Sequence, residues 1–513
     1  MLAFPKFDDV PDPAFSHPTA TRVLMEPLEP RTLLSAAPSP TPADVVAQAD
    51  NAFAFDLLQQ LDKTQSGNIF FSPYSAATAL EMALQGAQGV TASQMIQALH
   101  LPSADLADAG IQALYQLFQS SPDAGYTLST ANALWVNSNF PLLQSFIASS
   151  QNIFGAGPNT VDFSNPTAAA ATINAWVSTQ THGKITNLIS PAMLNSYTSL
   201  VLTNAIYFSA KWASPFNAGP TQQMPFQISS TEAADASMMY QSSDLEYYQQ
   251  TGSDGFQALD LPYAGGNLDM LVILPTNTYN LTQFASTLTS QMFAQITSNL
   301  TTADVDVLLP KFQINESYDL SLPLQNLGIQ AAFNPHKADF NGISQIPSYI
   351  TDVVQKSFIR VNQSGTQAAA ATAVVMAEAL AEAFPPQPVF WFDADHPFLF
   401  AIRDNATNTI LFLGSISDPS NGAADYSTAP TALSPVAPPP VSIISPPAQL
   451  PVATESPSIP VVPPGGYSDD AITLPFGADG WSQTASTPLV PSDLLLTTAN
   501  PFTLTTDLSV LQN

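Results

Sequence analysis

Hydrophobic positions recur along this chain with two different periods, and both kinds of element appear throughout its middle part. Helical spacing follows Pro42, where Asp44 can cap a helix carrying Val46, Phe53 and Leu57, and it recurs in later segments. The other predicted helices are Ala76 to Gly86 (entered by Ser72 and Pro73), Thr91 to Leu101 and Ala168 to Gln180. Strands are predicted at Leu128 to Val136, Ser199 to Phe208, Met238 to Tyr240, Gln257 to Pro262, Leu268 to Pro275 and Asp306 to Ile314. The pattern predicts a protein that contains both helices and strands.

One stretch, Gln363 to Met376, fits neither class cleanly. It contains no charge, no proline and a single glycine, Gly365, followed by small residues up to Val374. Alanine favours a helix, whereas threonine and valine favour a strand. As a strand, both of its faces would be small and uncharged, so it could enter a crowded interior without burying a charge. An Ala-rich surface helix is the alternative interpretation.

The flanks of this stretch carry a specific resemblance. It follows Asp352 to Asn362 and precedes Asp395-His-Pro-Phe398 and Leu411-Phe-Leu-Gly414. Earlier in the chain stand Asn204-Ala-Ile-Tyr-Phe208, Lys211-Trp212 and Pro215-Phe216. This order resembles that of the serpins. The resemblance implies an α+β fold with a large mixed central β-sheet, two smaller sheets, about eight or nine helices and an exposed reactive-centre loop. It also implies a helix followed by a turn within Tyr318 to Gly328.

The resemblance also implies which residues assist the opening of the central sheet. The hinge corresponds to Gly365, Thr366, Gln367, Ala368, Ala369, Ala370, Ala371 and Thr372. Supporting positions match Ser72, Ser75, Asn204, Trp212 and Gln355. Gln355 stands where many serpins have histidine, so no histidine-driven pH sensitivity is expected there. Gln363 and Gln367 replace the usual glutamates, which removes charge from the hinge.

The function implied by the resemblance is suicide inhibition of a serine protease, which is the expected partner in a covalent acyl complex. Counting the usual loop length forward from Gly365 places the cleaved bond at Ala379-Leu380, which suits elastase- or subtilisin-like proteases. Met376 or Leu380 on the amino side of the bond would favour larger pockets, and counting back from His396 points near Pro386. A non-inhibitory carrier, binding or surface-display protein of the same fold, or a passive domain between functional tails, is the alternative.

Composition excludes several other classes. The chain has 513 residues, a net charge of −29 and no cysteine, so nucleic-acid binding, disulfides and thiolate metal sites are not expected. The histidines are scattered without metal-ligand spacing, and no catalytic motif is present, so neither an enzyme nor a cofactor is predicted. His182 and His396 are interpreted as structural residues. No apolar run is long enough to span a bilayer.

The two ends of the chain differ from its middle. Residues 1–41 are expected to be disordered and include Leu28-Glu-Pro-Arg-Thr-Leu-Leu34, which looks like a sorting segment of exported bacterial proteins. Residues 420–513 lack Lys and Arg and are rich in Pro, Ser and Thr, which predicts a disordered acidic tail. The resemblance therefore covers residues 42–419. We expect an extracellular or cell-surface monomer.

Overall fold

The computed structural model describes residues 39–420, except 103, 120–124, 218–220, 253, 277–280 and 367–388. The chain divides into two units, Met1–Ala432 and Leu433–Asn513, and every described residue belongs to the first. The predicted leader and nearly all of the predicted tail lie outside the described residues.

The described residues form nine α-helices. These are α1 (Pro42–Asp62), α2 (Pro73–Leu84), α3 (Gly89–Ala98), α4 (Ala104–Gln119), α5 (Gln144–Phe154), α6 (Pro166–Gln180), α7 (Leu281–Thr287), α8 (Ser290–Ser298) and α9 (Ser321–Asn326). Ser72 caps α2 as predicted, since its side chain accepts a hydrogen bond from the Ser75 amide. The predicted cap of α1 was wrong: Thr41 is the N-cap, and Asp44 is the third helical residue, whose carboxylate bonds back to the Thr41 amide.

Fifteen strands accompany these helices in the described residues. They are β1 (Ile69–Phe71), β2 (Tyr126–Asn137), β3 (Asn159–Val161), β4 (Leu200–Lys211), β5 (Gln222–Gln227), β6 (Ala233–Gln250), β7 (Phe256–Pro262), β8 (Leu268–Pro275), β9 (Thr301–Pro310), β10 (Phe312–Asp319), β11 (Ile350–Asn362), β12 (Gly365–Thr366), β13 (Phe390–Asp393), β14 (Phe398–Asp404) and β15 (Ile410–Ile416). The α+β prediction is confirmed.

A six-stranded mixed sheet lies at the centre of the fold and has the order β10-β11-β12-β4-β2-β3. Its two middle long strands, β4 and β11, run parallel and pair directly over most of their length. The short strand β12 lies between them at one end only. The expected large central sheet is therefore present, with a strand of two residues at its middle.

The remaining strands form a nine-stranded sheet of order β1-β15-β14-β8-β7-β6-β9-β13, with β5 added to β6. The two smaller sheets that the resemblance implies are continuous here, because the long strand β6 pairs with β5 near its start and with β7 near its end. The predicted strand Asp306 to Ile314 was wrong in one respect. It is two strands, β9 and β10, which meet at Pro310 and Lys311 and belong to different sheets.

Hydrophobic side chains cover both faces of the central sheet. On one face, Leu202, Ile206 and Phe208 of β4 join the main core, together with residues of α1, α2 and the nine-stranded sheet. On the opposite face, Val201 and Ala205 belong to a second core beneath α6. Alternate residues of β4 therefore enter two different cores, which explains why this strand is largely apolar on both faces.

Candidate functional site

The central sheet is closed along part of its length and held apart at one end. β11 pairs with β4 from Ile350 opposite Leu200 to Phe358 opposite Tyr207. Beyond this point β12 is inserted, with Thr366 opposite Ala210 on one side and Val361 on the other. The first two residues of the predicted hinge are thus already the beginning of a new strand that is antiparallel to both neighbours.

Gly365 makes this start possible. Its φ is +146°, a conformation that residues with a side chain rarely adopt. A Cβ placed there would overlap the Ala210 carbonyl oxygen and lie 2.7 Å from the Lys211 Cα atom. The backbone of the hinge therefore approaches β4 at a distance that only glycine permits.

Thr366 is buried, and its hydroxyl has a specific partner. Its Oγ1 lies 2.6 Å from the Tyr263 hydroxyl oxygen. Burial raises the pKa of Tyr263 well above that of an exposed tyrosine, so this phenol stays protonated and available as a donor. The hinge is anchored at its first inserted side chain by a hydrogen bond in the interior.

Trp212 lies at the same end of the sheet as β12. Its ring stacks on Tyr263 with a centroid distance of 4.6 Å and an interplanar angle of 7°. Its Nε1 donates to the Asn362 carbonyl oxygen at 2.9 Å, and its backbone amide donates to the Ser364 carbonyl oxygen. Trp212 therefore holds the turn that leads from β11 into β12.

Gln355 lies further along β11, directly opposite Asn204 on β4, where the two strands are closed. Its Nε2 donates to the Asn204 Oδ1 at 2.5 Å and to the Ser72 carbonyl oxygen at 2.9 Å. Its Oε1 accepts from the Ser72 amide at 3.1 Å. Gln355 thus connects both central strands to the start of α2 without carrying a titratable group.

Ser72 and Ser75 complete this buried network, although Ser75 reaches a different strand. The Ser72 hydroxyl donates to the Leu411 carbonyl oxygen at 2.6 Å, and Ser75 Oγ donates to Asn132 Oδ1 of β2 at 2.5 Å. Asn132 pairs directly with Asn204 across β2 and β4. The network therefore connects β2, β4 and β11 on the side of the sheet where α2 begins.

The five predicted supporting residues fall into two groups. Ser72, Ser75, Asn204 and Gln355 meet beneath the closed part of the sheet, whereas Trp212 lies at the open end. Sequence reasoning missed Tyr263 and Asn132. A signal existed for Asn132, because an asparagine inside an apolar strand must find a partner. The predicted hinge residues from Gln367 to Thr372 and the predicted reactive bond at Ala379 and Leu380 lie outside the described residues.

Metal ligands and histidines are among the other groups that could carry chemistry in the part of the chain that the structure describes. No cluster of three or more potential metal ligands occurs there, and no described helix is long and apolar enough to cross a membrane. His396, interpreted as structural, is buried, and its ring nitrogens lie 2.7 Å from an Asp395 carboxylate oxygen and the Pro275 carbonyl oxygen. The arrangement at β12 would permit a change of strand pairing, because β12 already pairs with both β4 and β11.

Comparison with known proteins gives one consistent result. The family model described as Serpin (serine protease inhibitor) matches residues 48–419. The leukocyte elastase inhibitor of Xenopus tropicalis is 38% identical over 381 residues, which cover 73% of this chain and 99% of the relative. Serpin B6 of Pongo abelii is 39% identical, with coverage of 73% and 100%. A serpin-like protein of Thermococcus kodakarensis is 39% identical over 380 residues, with coverage of 74% and 86%.

Solved structures agree with these sequence relatives. Serpin48 of the insect Tenebrio molitor is similar with a TM-score of 0.64 at 33% identity, covering 73% of this chain and 98% of that one. Uncleaved ovalbumin gives a TM-score of 0.65 at 28% identity, with coverage of 73% and 100%.

Proposed function

The chain belongs to the serpin family of serine protease inhibitors, and from this premise we propose that it traps its target protease by inserting its own cleaved loop into the central sheet. The observation that carries the proposal is β12. Gly365 and Thr366 already occupy the first two positions of a strand between β4 and β11, in an antiparallel register to both. Insertion would extend this strand along a path whose first step is in place.

Continuing the observed register predicts where each later hinge residue would pair. Thr372 lies six residues beyond Thr366, which pairs with Ala210 and Val361. In an antiparallel register it would therefore lie opposite Asn204, six residues before Ala210, and opposite Gln355, six residues before Val361. Thr372, the one residue with a hydroxyl group between Ala368 and Met376, would thus lie beside the polar pair Asn204 and Gln355. The Asn204 Nδ2, which has no hydrogen-bond partner among the described residues, would lie beside it.

The two faces of the extended strand would match the two cores. Residues directly opposite one another on adjacent strands project to the same side of a sheet. Ala368, Ala370 and Val374 would therefore face the main core beside Phe208, Ile206 and Leu202. Ala369 and Ala371 would face the second core, beside Tyr207 and Ala205, beneath α6. Small uncharged side chains suit both environments, since neither core offers a partner for a charge.

Insertion would exchange one set of contacts for a larger one. Adjacent strands lie about 4.8 Å apart, so a new strand would move β4 and β11 to roughly twice that separation. The hydrogen bond between Gln355 and Asn204 would then break. In return, one parallel ladder would be replaced by two antiparallel ladders, which gains backbone hydrogen bonds and apolar burial. The closed sheet is accordingly a kinetically held state.

The depth of the sheet supports the bond Ala379-Leu380 over a bond near Pro386. In the continued register Met376 would reach Leu200, the first residue of β4. Ala379 would then follow three residues later, at about 10 Å past the end of the strand. Cleavage near Pro386 would leave a much longer free segment between the sheet and the protease. A short connection would hold the protease against the end of the sheet, where the distortion of its active site would be greatest.

The chemical step belongs to the protease. Its serine oxygen would attack the Ala379 carbonyl carbon and form an ester, while the nitrogen of Leu380 takes up the proton and leaves as an amine. Water would normally hydrolyse this ester. Insertion that is faster than hydrolysis would instead drag the acylated protease along the sheet and displace its catalytic groups, whose geometry is critical for rate.

We test this by incubating the protein with elastase-, chymotrypsin- and subtilisin-type serine proteases, followed by denaturing gels and mass spectrometry. The expected result is a band at the summed mass that resists denaturation, with an ester at Ala379. The nicked protein should also melt at a higher temperature than the intact one. Clean loop cleavage with full protease activity across the panel would reject inhibition and favour a non-inhibitory binding role.

A further inference from the structure

A cavity of about 420 Å³ opens on the nine-stranded sheet, next to β13, the strand that follows the reactive-centre loop. Its apolar lining comes mainly from Met224, Met238, Met239, Leu308 and Trp391, with Tyr240 at its edge. Trp391 is 58% exposed and Tyr240 is 38% exposed. Met238 and Met239 are buried in the main core, whereas Met224 is partly exposed. A flexible methionine beside an exposed tryptophan is typical of surfaces that receive an apolar side chain from a partner.

The strands around this cavity are acidic, and the basic residue Lys311 lies just beyond them, next to Pro310, which pairs with the lining residue Met238. The strands β5, β6, β9 and β13 contain no Lys or Arg, but they carry several carboxylates. On the solvent side these include Asp244 and Asp304, which lie directly opposite one another on β6 and β9. Asp306, next along β9, accepts a hydrogen bond from the Tyr240 hydroxyl at 2.7 Å.

The pair of Asp244 and Asp304 is unfavourable for the isolated protein. Like charges directly opposite one another weaken the pairing of two strands. Neither carboxylate has a basic neighbour on these strands that would offset the repulsion. A cationic partner would remove this cost when it binds, and it would also be attracted from a distance.

We propose that this cavity and its acidic surround are an accessory docking site for the target protease, one that presents a basic surface and a protruding apolar side chain. The inference rests on the proposed function. The order of the chain supports this occupant, because Val389 connects the reactive-centre loop directly to β13. Trp391 of β13 lies on the same side of the sheet as Asp306, with which it pairs. A protease bound to the loop is thereby held close to this face.

The experiment measures the second-order rate constant for inhibition of two elastase-type proteases of similar cleavage preference, one cationic and one anionic. The variants are Asp244→Asn with Asp304→Asn, and Trp391→Ala. Because the first pair removes a repulsion, it leaves the fold intact. With the cationic protease at low salt, we expect the rate constant to fall about three- to tenfold. At high salt the charge effect should vanish, whereas the effect of Trp391→Ala should remain.

Two control variants match these changes elsewhere on the protein. Asp62→Asn with Asp108→Asn removes the same net charge from α1 and α4, and Tyr197→Ala removes another exposed aromatic side chain. Both controls should leave the rate constant within twofold of the unaltered protein. Equal losses in controls and test variants would overturn the docking site, as would unchanged rates in the test variants.

The readouts separate this proposal from the one on which it depends. If the unaltered protein forms no covalent complex with any protease, the proposed function fails, and the docking site fails with it. If complexes form at the same rate in all variants, only the docking site is overturned. Light scattering that shows an intact dimer abolished by Trp391→Ala would assign the cavity to a second copy of this chain instead.

Discussion

Gly365 occupies the one position in the described hinge where a side chain has no room. The carbonyl oxygen of Ala210 fills the space that a Cβ would need, and the backbone has a φ of +146°. We predict that Gly365→Ala will expel β12 from the sheet, at a cost of about 1–3 kcal/mol in strain. The thermal midpoint of the intact protein should fall, and more inhibitor molecules should be consumed per protease. An unchanged midpoint with a stoichiometry near one would contradict this reading of the backbone.

The buried contact between Tyr263 and Thr366 supports a second prediction at the scale of residues. Tyr263→Phe removes one partner of a 2.6 Å hydrogen bond and leaves the Thr366 hydroxyl buried without it. An unsatisfied buried hydroxyl costs about 1–3 kcal/mol, so the thermal midpoint of the intact protein should fall by several degrees.

Thr366→Val provides the matching test of this contact. If the two hydroxyls act on each other, the double variant should melt no lower than Tyr263→Phe alone, because the second change removes a group that has already lost its partner. Additive losses would show that the two side chains act independently.

The sequence predicted the hinge and its supports by type, but not all of their contacts. Thr366 and Tyr263 are 103 positions apart, and Ser75 and Asn132 are 57 apart. Local periodicity carries no information about which distant polar groups meet. Tyr263 follows β7 directly and has no distinguishing sequence pattern, and it reaches the hinge because it forms an isolated β-bridge with Trp212. The cap of α1 was missed for a local reason, because Thr41 and Asp44 bond to each other and either could have been the cap.

At the scale of elements, the inserting strand must place alternate side chains in two different cores. Thr366 faces the main core, whereas its neighbour Gln367 would face the opposite side of the sheet. We predict that Thr366→Glu, which buries a carboxylate beside Tyr263, will slow insertion of the loop. Water should then hydrolyse the acyl-enzyme ester before insertion is complete. The variant should be cleaved as a substrate, and the stoichiometry of inhibition should rise at least several-fold.

Gln367→Glu is the matched control for this prediction. It adds the same charge one residue later, at a position where the family usually has glutamate, so inhibition should be retained. Denaturing gels after incubation with the target protease distinguish the two outcomes. If both variants trap the protease equally well, the face on which a charge lies does not control insertion.

The boundaries of a strand were predicted correctly where the whole strand is buried in one sheet. They were predicted incorrectly where the chain passes from one sheet to the other. The predicted strand Leu268 to Pro275 matches β8, because all of its residues are buried and the pattern is continuous. Asp306 to Ile314 alternates as a single strand would, yet Pro310 and Lys311 divide it between β9 and β10. Alternation reports the buried face of a strand and does not report the sheet to which it belongs.

At the scale of the whole molecule, the acidic composition places carboxyl groups in the interior without enough basic partners. Asp50 of α1 and Glu81 of α2 are almost fully buried, and burial raises the pKa of each well above its ordinary value. Asp260 and Asp269 flank the single side chain of Arg403, and burial raises both of their pKa values as well. Burial also raises the pKa of Asp352, in β11, to about 6.

These shifts have one sign, which determines how stability depends on pH. A carboxyl group whose folded pKa lies above its unfolded value binds more protons in the folded state, so the free energy of unfolding falls as pH rises through that interval. For Asp352 the interval runs from its ordinary pKa of 3.8 to about 6. We therefore predict that the thermal midpoint of the intact protein decreases from pH 4 towards pH 6 and above.

Glu81→Gln isolates one contribution to this decrease. It keeps the size of the side chain but removes the buried carboxyl group, together with its repulsion of Asp50. Its thermal midpoint should exceed that of the unaltered protein at pH 8 and approach it at pH 4, where both forms are neutral. Glu232→Gln, in an exposed turn, is the control and should follow the unaltered protein throughout. A Glu81→Gln midpoint that is no higher at pH 8 would contradict the prediction, because removing the carboxyl group would then not relieve the cost of burying it.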